Sequence, residues 1–339
     1  MDTLVDDVGS FPLPDSVDRQ TYSKARNMAG RAIVEGKSLA DDEFVRNNFC
    51  QVVAGSFRMK CDSGLDVASY PQHYDMHMQF ADIIHEAMNG GTYVVDEKLA
   101  VTPEVHVIGE EAKRLSEEMG RKVRLRVCVT GPMELYLKEV GTTVHEDVLM
   151  MFAETVRRFA RKATLDSGYV KTEVVSLDEP SLGFQGISAD RDTILEVLEK
   201  AFDFDCPAKQ VHLHSVANVA DLLDVENLDV LAFEFAASPK NIESVSKKML
   251  DKADKQVRAG IARTDVDSMM AELHERSLKT WSAEQLVESL GTMRKRFEAA
   301  KRKYGDRLAF SGPDCGLGGW PSQEIAQLLL KRAVHAAKS

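Results

Sequence analysis

The sequence has no apolar run of about 18 residues, the length a helix needs to cross a bilayer, so no membrane span is expected. Residues Met1 to Asp7 have neither the basic start nor the apolar stretch of a secretory signal, and a cytoplasmic location is the expectation. Cysteine is sparse. Cys50, Cys61, Cys128, Cys206 and Cys315 make an odd count in a long chain, which argues against a disulfide framework and leaves thiols for packing, metal binding or reaction. Basic residues are outnumbered and scattered: 43 Lys and Arg against 54 Asp and Glu give a net charge of −11, which disfavours a nucleic-acid or anionic-membrane surface. Low-complexity segments, long linkers and near-exact repeats are also lacking, so one domain over 1–339 is the economical reading.

What is present is ordinary for a soluble protein, 44% hydrophobic and 29% charged, enough to build one large core. Short β-rich runs recur at about 4–10, 64–70, 122–130, 172–178, 208–214, 228–234, 255–262 and 306–311. Several are continuously apolar, such as Val127-Cys128-Val129 and Val230-Leu231-Ala232-Phe233, as suits parallel strands buried on both faces. Helical spacing fills 72–90, 144–167, 190–204, 239–254, 283–303 and 321–338, with Pro321 suited to the first turn of the last helix. This alternation predicts an α/β fold, a closed (β/α)8 TIM barrel. The region 15–60 reads as an N-terminal helical extension and 263–290 as an insertion with its own helix, either one a lid or an oligomer contact.

Barrel enzymes work at the C-terminal ends of their strands. Here those ends carry Val8-Gly9-Ser10-Phe11-Pro12, Ser69-Tyr70-Pro71-Gln72-His73, Thr130-Gly131-Pro132, Asp178-Glu179-Pro180, His212-Leu213-His214, Glu234, Arg263-Thr264-Asp265 and Pro313-Asp314-Cys315-Gly316. His212 and His214, two apart on a strand, project to the same side, as two ligands of one ion must. Glu234 and Cys315 add carboxylate and thiolate at the same barrel end, and zinc accepts all three ligand types. On spacing alone the alternatives stay open: a histidine packed in the wall, Glu234 paired with a Lys or Arg, Cys315 an inert buried thiol.

Val-Gly-Ser-Phe-Pro at 8–12, Asp-Glu-Pro-Ser-Leu at 178–182, His-x-His at 212–214, the Glu-bearing strand at 230–235 and Pro-Asp-Cys-Gly-Leu with Gly-Trp-Pro at 313–321 occur in the order of a known family. Across nearly the whole chain they resemble the catalytic, C-terminal half of the cobalamin-independent methionine synthases, whose barrel is of the uroporphyrinogen decarboxylase and methionine synthase type. The resemblance implies zinc on His212, Glu234 and Cys315. His214 stands where the family has cysteine; it is expected as the fourth ligand, the alternative being that it turns away. The resemblance also implies that Ser10 and the backbone beside it at Gly9 hold the homocysteine carboxylate and that Asp178 takes the amino group. Gln72 is a further candidate for the substrate wall. Two family features are missing: a Glu after the second strand, since 70–76 has none, and a proton-shuttling His after the seventh, where Asp265 is the candidate substitute.

The activity implied is transfer of a methyl group to a zinc-activated thiol, homocysteine being the expected acceptor and methionine the product. A chain matching the catalytic half alone points to methylcobalamin on a corrinoid carrier protein as donor, rather than methyltetrahydrofolate, whose leaving nitrogen needs a positioned acid. The rival readings are a zinc methyltransferase for another thiol such as coenzyme M, and a disabled barrel that binds methionine or metal as a regulator. A decarboxylase on the related uroporphyrinogen fold needs neither Cys315 nor the zinc set.

Overall fold

A computed structural model describes residues 2–183, 189–275 and 282–339. Eight parallel strands alternate with helices: β1 (Leu4–Val5), β2 (Ala68–Ser69), β3 (Val123–Thr130), β4 (Val170–Asp178), β5 (Ala208–Leu213), β6 (Val230–Phe233), β7 (Gln256–Ala262) and β8 (Leu308–Pro313). Their hydrogen-bonded order runs β1-β8-β7-β6-β5-β4-β3-β2. Parallel bridges Asp6 to Val67 and Ser10 to Gln72 then join β1 to β2, so the sheet closes on itself as a (β/α)8 barrel. β1 and β2 are shorter than the sequence suggests because side chains take over the pairing. The Asp7 carboxylate accepts from Ser69 N and Ser69 Oγ, each at 2.7 Å, and meets the Lys60 ammonium at 2.8 Å.

The barrel interior is layered. Val67, Val174, Ala208, Val230 and Phe310 form an apolar floor. Above it lies a fully buried ionic layer, with Asp6 between Arg126 Nη1 at 2.6 Å and Arg258 Nε at 2.7 Å. Two guanidiniums share one carboxylate, an arrangement tolerable in a low-dielectric interior only while the partner is present. The third layer, at the C-terminal strand ends, holds the chemistry-bearing side chains.

The helix expected near 72–90 begins later, at Met78–Asn89, and the one expected at 239–254 is two pieces, Asn241–Ser244 and Lys247–Ala253, parted where Ser246 caps the second. The region 15–60 is likewise several helices, chiefly Arg19–Val34 and Gln51–Cys61. Pro321 lies outside the last helix, Gln323–Lys338, whose cap is Ser322: its hydroxyl accepts from Ile325 N at 3.3 Å. The helix Pro103–Met119 was not foreseen, although Pro103 sits in its first turn and Gly120 (φ 64°) closes it in the left-handed region. Within 263–290, Val266–Glu275 is helical and Ala283–Leu286 is a 3-10 turn, while 276–281 lie outside the described residues. No helix among the described residues is long and apolar enough to cross a membrane.

Candidate metal centre

β5 delivers His212, and His214 follows just beyond its end; the two rings are 5.5 Å apart between centroids and nearly perpendicular. Cys315 follows β8 and brings Sγ to 3.6 Å from His214 Nε2. One ligand atom from each of His212, His214 and Cys315 lies within 4.8 Å of the others. Glu234, the residue after β6, places Oε1 3.5 Å from His214 Nε2.

These donors fit a divalent cation. His212 is 2% exposed, yet neither ring nitrogen has a hydrogen-bond partner among the described residues. Leaving both nitrogens of a buried imidazole unsatisfied costs about 1–3 kcal/mol, whereas a metal ion takes up a nitrogen lone pair. Burial holds His212 well below the ordinary histidine range and lowers His214 as well, which favours the neutral rings that ligation needs. Burial, then the Glu234 charge, pushes the Cys315 thiol up to about 12; burial, then Asp265, pushes Glu234 up to about 7. Two acids are thus packed against an imidazole, and no Lys or Arg among the described residues pairs with either. A divalent ion reverses both shifts by favouring thiolate and carboxylate, and with the two imidazoles the set then balances a charge of +2.

Beside the donors, Asp178 ends β4 and pairs in register with Thr130 on one side and His212 on the other. It is 7% exposed and accepts a hydrogen bond from Ser176 Oγ at 2.8 Å; burial raises its pKa to about 6 against the pull of Arg126. Ser10 clamps the loop that carries Cys315: its hydroxyl accepts from Gly318 N at 3.1 Å, its carbonyl accepts from Leu317 N at 2.9 Å, and a Cβ on Gly316 would fall 2.0 Å from Ser10 Oγ. Gly9 (φ 33°) lies against Gln72, whose Oε1 would be 1.8 Å from a Cβ there. Gln72 itself is buried and donates to Tyr70 OH at 2.9 Å. Asp265 is held in a two-pronged pair by Arg263, at 3.0 and 2.7 Å, and its pKa is lowered: the guanidinium outweighs partial burial.

Three further groups were not found by reading the sequence. Glu179, inside the Asp-Glu-Pro string, is fully buried and accepts from Met133 N at 2.9 Å and Glu134 N at 2.8 Å, capping the helix Pro132–Glu139. That explains Thr130-Gly131-Pro132, read as a turn: Pro132 starts the helix, and a Cβ on Gly131 would fall 2.2 Å from Glu179 Oε1. Asp314 makes a parallel arrangement with Gly260, whose Cβ would fall 1.8 Å from Asp314 Oδ1. Glu134 is buried and pairs with His77 Nε2 at 2.7 Å at the rim of the site. For Glu179 and Asp314 the available signal was a glycine, Gly131 and Gly260, each marking a carboxylate that approaches the backbone.

No protein-family model matches the chain, and no curated protein matches it in sequence. Among solved structures, a B12-independent methionine synthase from Shewanella sp. W3-18-1, in complex with selenomethionine, is similar over 100% of this chain and 97% of its own, with a TM-score of 0.58 at 15% identity. The fold is methionine synthase-like. A methyltransferase from Methanosarcina mazei is similar over 98% of this chain and 94% of its own, with a TM-score of 0.51 at 15% identity. Likeness at this identity establishes the architecture; the chemistry has to come from the side chains.

Proposed function

We propose that this chain is a zinc-dependent thiol methyltransferase on a methionine synthase-type barrel, acting on homocysteine with a methylated corrinoid as donor. The observation that carries the reading is the cluster of His212, His214 and Cys315 ligand atoms within 4.8 Å, with both nitrogens of buried His212 unpartnered among the described residues. Glu234 stands outside that trio but 3.5 Å from His214 Nε2, and we assign it as the fourth donor, of a type zinc takes. Zinc bound there supplies Lewis acidity, lowering an acceptor thiol's pKa so that it is a nucleophilic thiolate at neutral pH.

The rest is work for the chain's own groups. Among the described residues, buried Asp178 accepts from a hydroxyl and has no cation in contact, and an ammonium of the acceptor supplies one. This favours an amino-acid thiol over coenzyme M, which has no ammonium. Ser10 and the Gly9 backbone are assigned to the acceptor carboxylate and Gln72 to the wall beside them. Asp265 enters as a charged wall, since Arg263 already holds its carboxylate. With both oxygens accepting from the Arg263 guanidinium, Asp265 is not set up to donate a proton to a folate nitrogen as it leaves, whereas cob(I)alamin leaves a methyl group without needing a proton. We therefore assign the donor to a methylcorrinoid, delivered by a carrier protein. The test is to incubate zinc-loaded protein and homocysteine with methylcobalamin or with methyltetrahydrofolate and follow methionine. Formation from methylcobalamin alone is expected; formation from the folate alone overturns the donor assignment, and formation from neither, with zinc bound, overturns the activity.

A further inference from the structure

Of the donors, His214, Glu234 and Cys315 sit on three different loops, and each loop is tied to the next by a side chain that is not itself a donor. Asp314 is fully buried beside Cys315, but its carboxylate turns to the loop behind Glu234. Oδ1 accepts from Phe235 N at 3.0 Å and Ala236 N at 2.9 Å, and Oδ2 accepts from Ala237 N at 2.6 Å. Asp314 N donates to Ala262 O at 2.9 Å, which anchors the same residue on β7. The room for this carboxylate exists only because residue 260 is glycine. Asn241 makes the second tie, its Nδ2 donating to Glu234 O at 2.9 Å and to His214 O at 3.3 Å. The backbones carrying His214, Glu234 and Cys315 are therefore cross-linked in sequence: 214 to 234 through Asn241, and 234 to 315 through Asp314.

A carboxylate that captures three consecutive backbone N–H groups fixes the direction of the chain there, and thereby where Glu234 stands relative to Cys315. Such supports behind metal ligands change affinity by about 10–100-fold when removed. We infer that Asp314, seconded by Asn241, is a positioning residue that sets the donor geometry before any metal arrives. This rests on the reading that His212, His214, Glu234 and Cys315 hold a metal. It adds that the site is preformed rather than assembled by the ion, and it assigns the Asp of Pro-Asp-Cys-Gly a task distinct from ligation.

The experiment compares the full-length protein with Asp314→Asn and Asn241→Ala. Asn can accept at one oxygen but turns N–H groups toward backbone N–H groups at the other, so two donors and no acceptor meet there. Zinc affinity is read by competition with a chromophoric chelator, cobalt(II) absorption reports ligand geometry, and circular dichroism reports the fold. Asp314→Asn should keep its fold, bind zinc about 10–100-fold more weakly and show an altered cobalt spectrum, with Asn241→Ala shifted the same way by less. A folded Asp314→Asn protein with wild-type zinc affinity and cobalt spectrum overturns the inference. Hydrogen exchange of wild-type protein stripped of metal gives an answer that does not depend on the variant folding. Protected amides at 235–237 before zinc is added support a preformed site; amides that exchange freely until zinc is added overturn it. Wild-type protein that binds no zinc removes the metal reading instead, and the exchange measurement still decides whether the loops are locked.

Discussion

Replacing Asp178 by Asn separates function from stability at one atom pair. In the folded protein the Asp178 carboxyl is buried and titrates near 6 instead of 3.8, burial being the main cause. The sign follows from linkage: a folded pKa above the unfolded one means that the native state holds the proton more tightly. The destabilisation is therefore absent below about pH 4, grows as pH rises through about 6, and is complete by about pH 8. At about 1.4 kcal/mol for each tenfold step, it amounts to about 3 kcal/mol. Asn keeps an oxygen to accept from Ser176 Oγ and carries no charge, so Asp178→Asn should leave stability nearly unchanged at pH 4 and raise it by up to about 3 kcal/mol at pH 8. For a chain of 339 residues, unfolding entropy near 2 cal/mol/K per residue turns this into a rise of about 4 °C. The assay is thermal unfolding of both proteins at pH 4 and pH 8 with a chelator present, so that metal linkage does not enter. The same variant should lose homocysteine or methionine affinity in calorimetric titration. An equal difference in melting temperature at both pH values refutes the electrostatic reasoning, and unchanged ligand affinity refutes the assignment of Asp178 to the ammonium.

Other outcomes are expected from the same structure. Asp6→Asn strands two buried guanidiniums and should destabilise by about 3–5 kcal/mol; a wild-type melting temperature would contradict the ionic layer. Because the Cys315 thiol, near 12, must lose its proton to coordinate, zinc affinity should rise about tenfold per pH unit above pH 7, and more steeply below it, where Glu234 also carries a proton. Competition titrations at several pH values check this, and a flat profile would exclude Cys315 as a ligand. His214→Cys should retain zinc and give equal or faster methyl transfer, because a second thiolate makes the site more electron-rich; a folded variant devoid of metal would mean that the geometry depends on imidazole.

The barrel was legible from the sequence because buried parallel strands are written as apolar runs, such as Val127-Cys128-Val129, and each of the eight was located to within a few residues. That His212, His214 and Cys315 come together was legible because strand ends gather at one face of a barrel; Glu234 reaches the group only at His214, 3.5 Å away. The groups holding them in place were not. Asp314 and Glu179 lie in strings read for their neighbours Cys315 and Asp178, and nothing local says that their carboxylates turn to another loop's N–H groups. Their visible trace was Gly260 and Gly131, whose need for close approach becomes apparent only when the strands are side by side. The unpartnered nitrogens of His212 were equally invisible, since what a ring lacks depends on all that surrounds it. Pro132 was read as a turn and starts a helix, because proline suits either one until the cap, Glu179, is seen.

The claim on which the rest depends is that these donors hold zinc, and the most direct measurement of it is metal content. Protein purified without chelators, or reconstituted and desalted, is analysed by mass spectrometry for metal per chain, alongside Cys315→Ser and His212→Ala. The account predicts about one zinc per wild-type chain and loss of most of it in both variants, with the fold intact. Wild-type protein that neither carries zinc nor takes it up, or variants that retain it in full, would contradict the account.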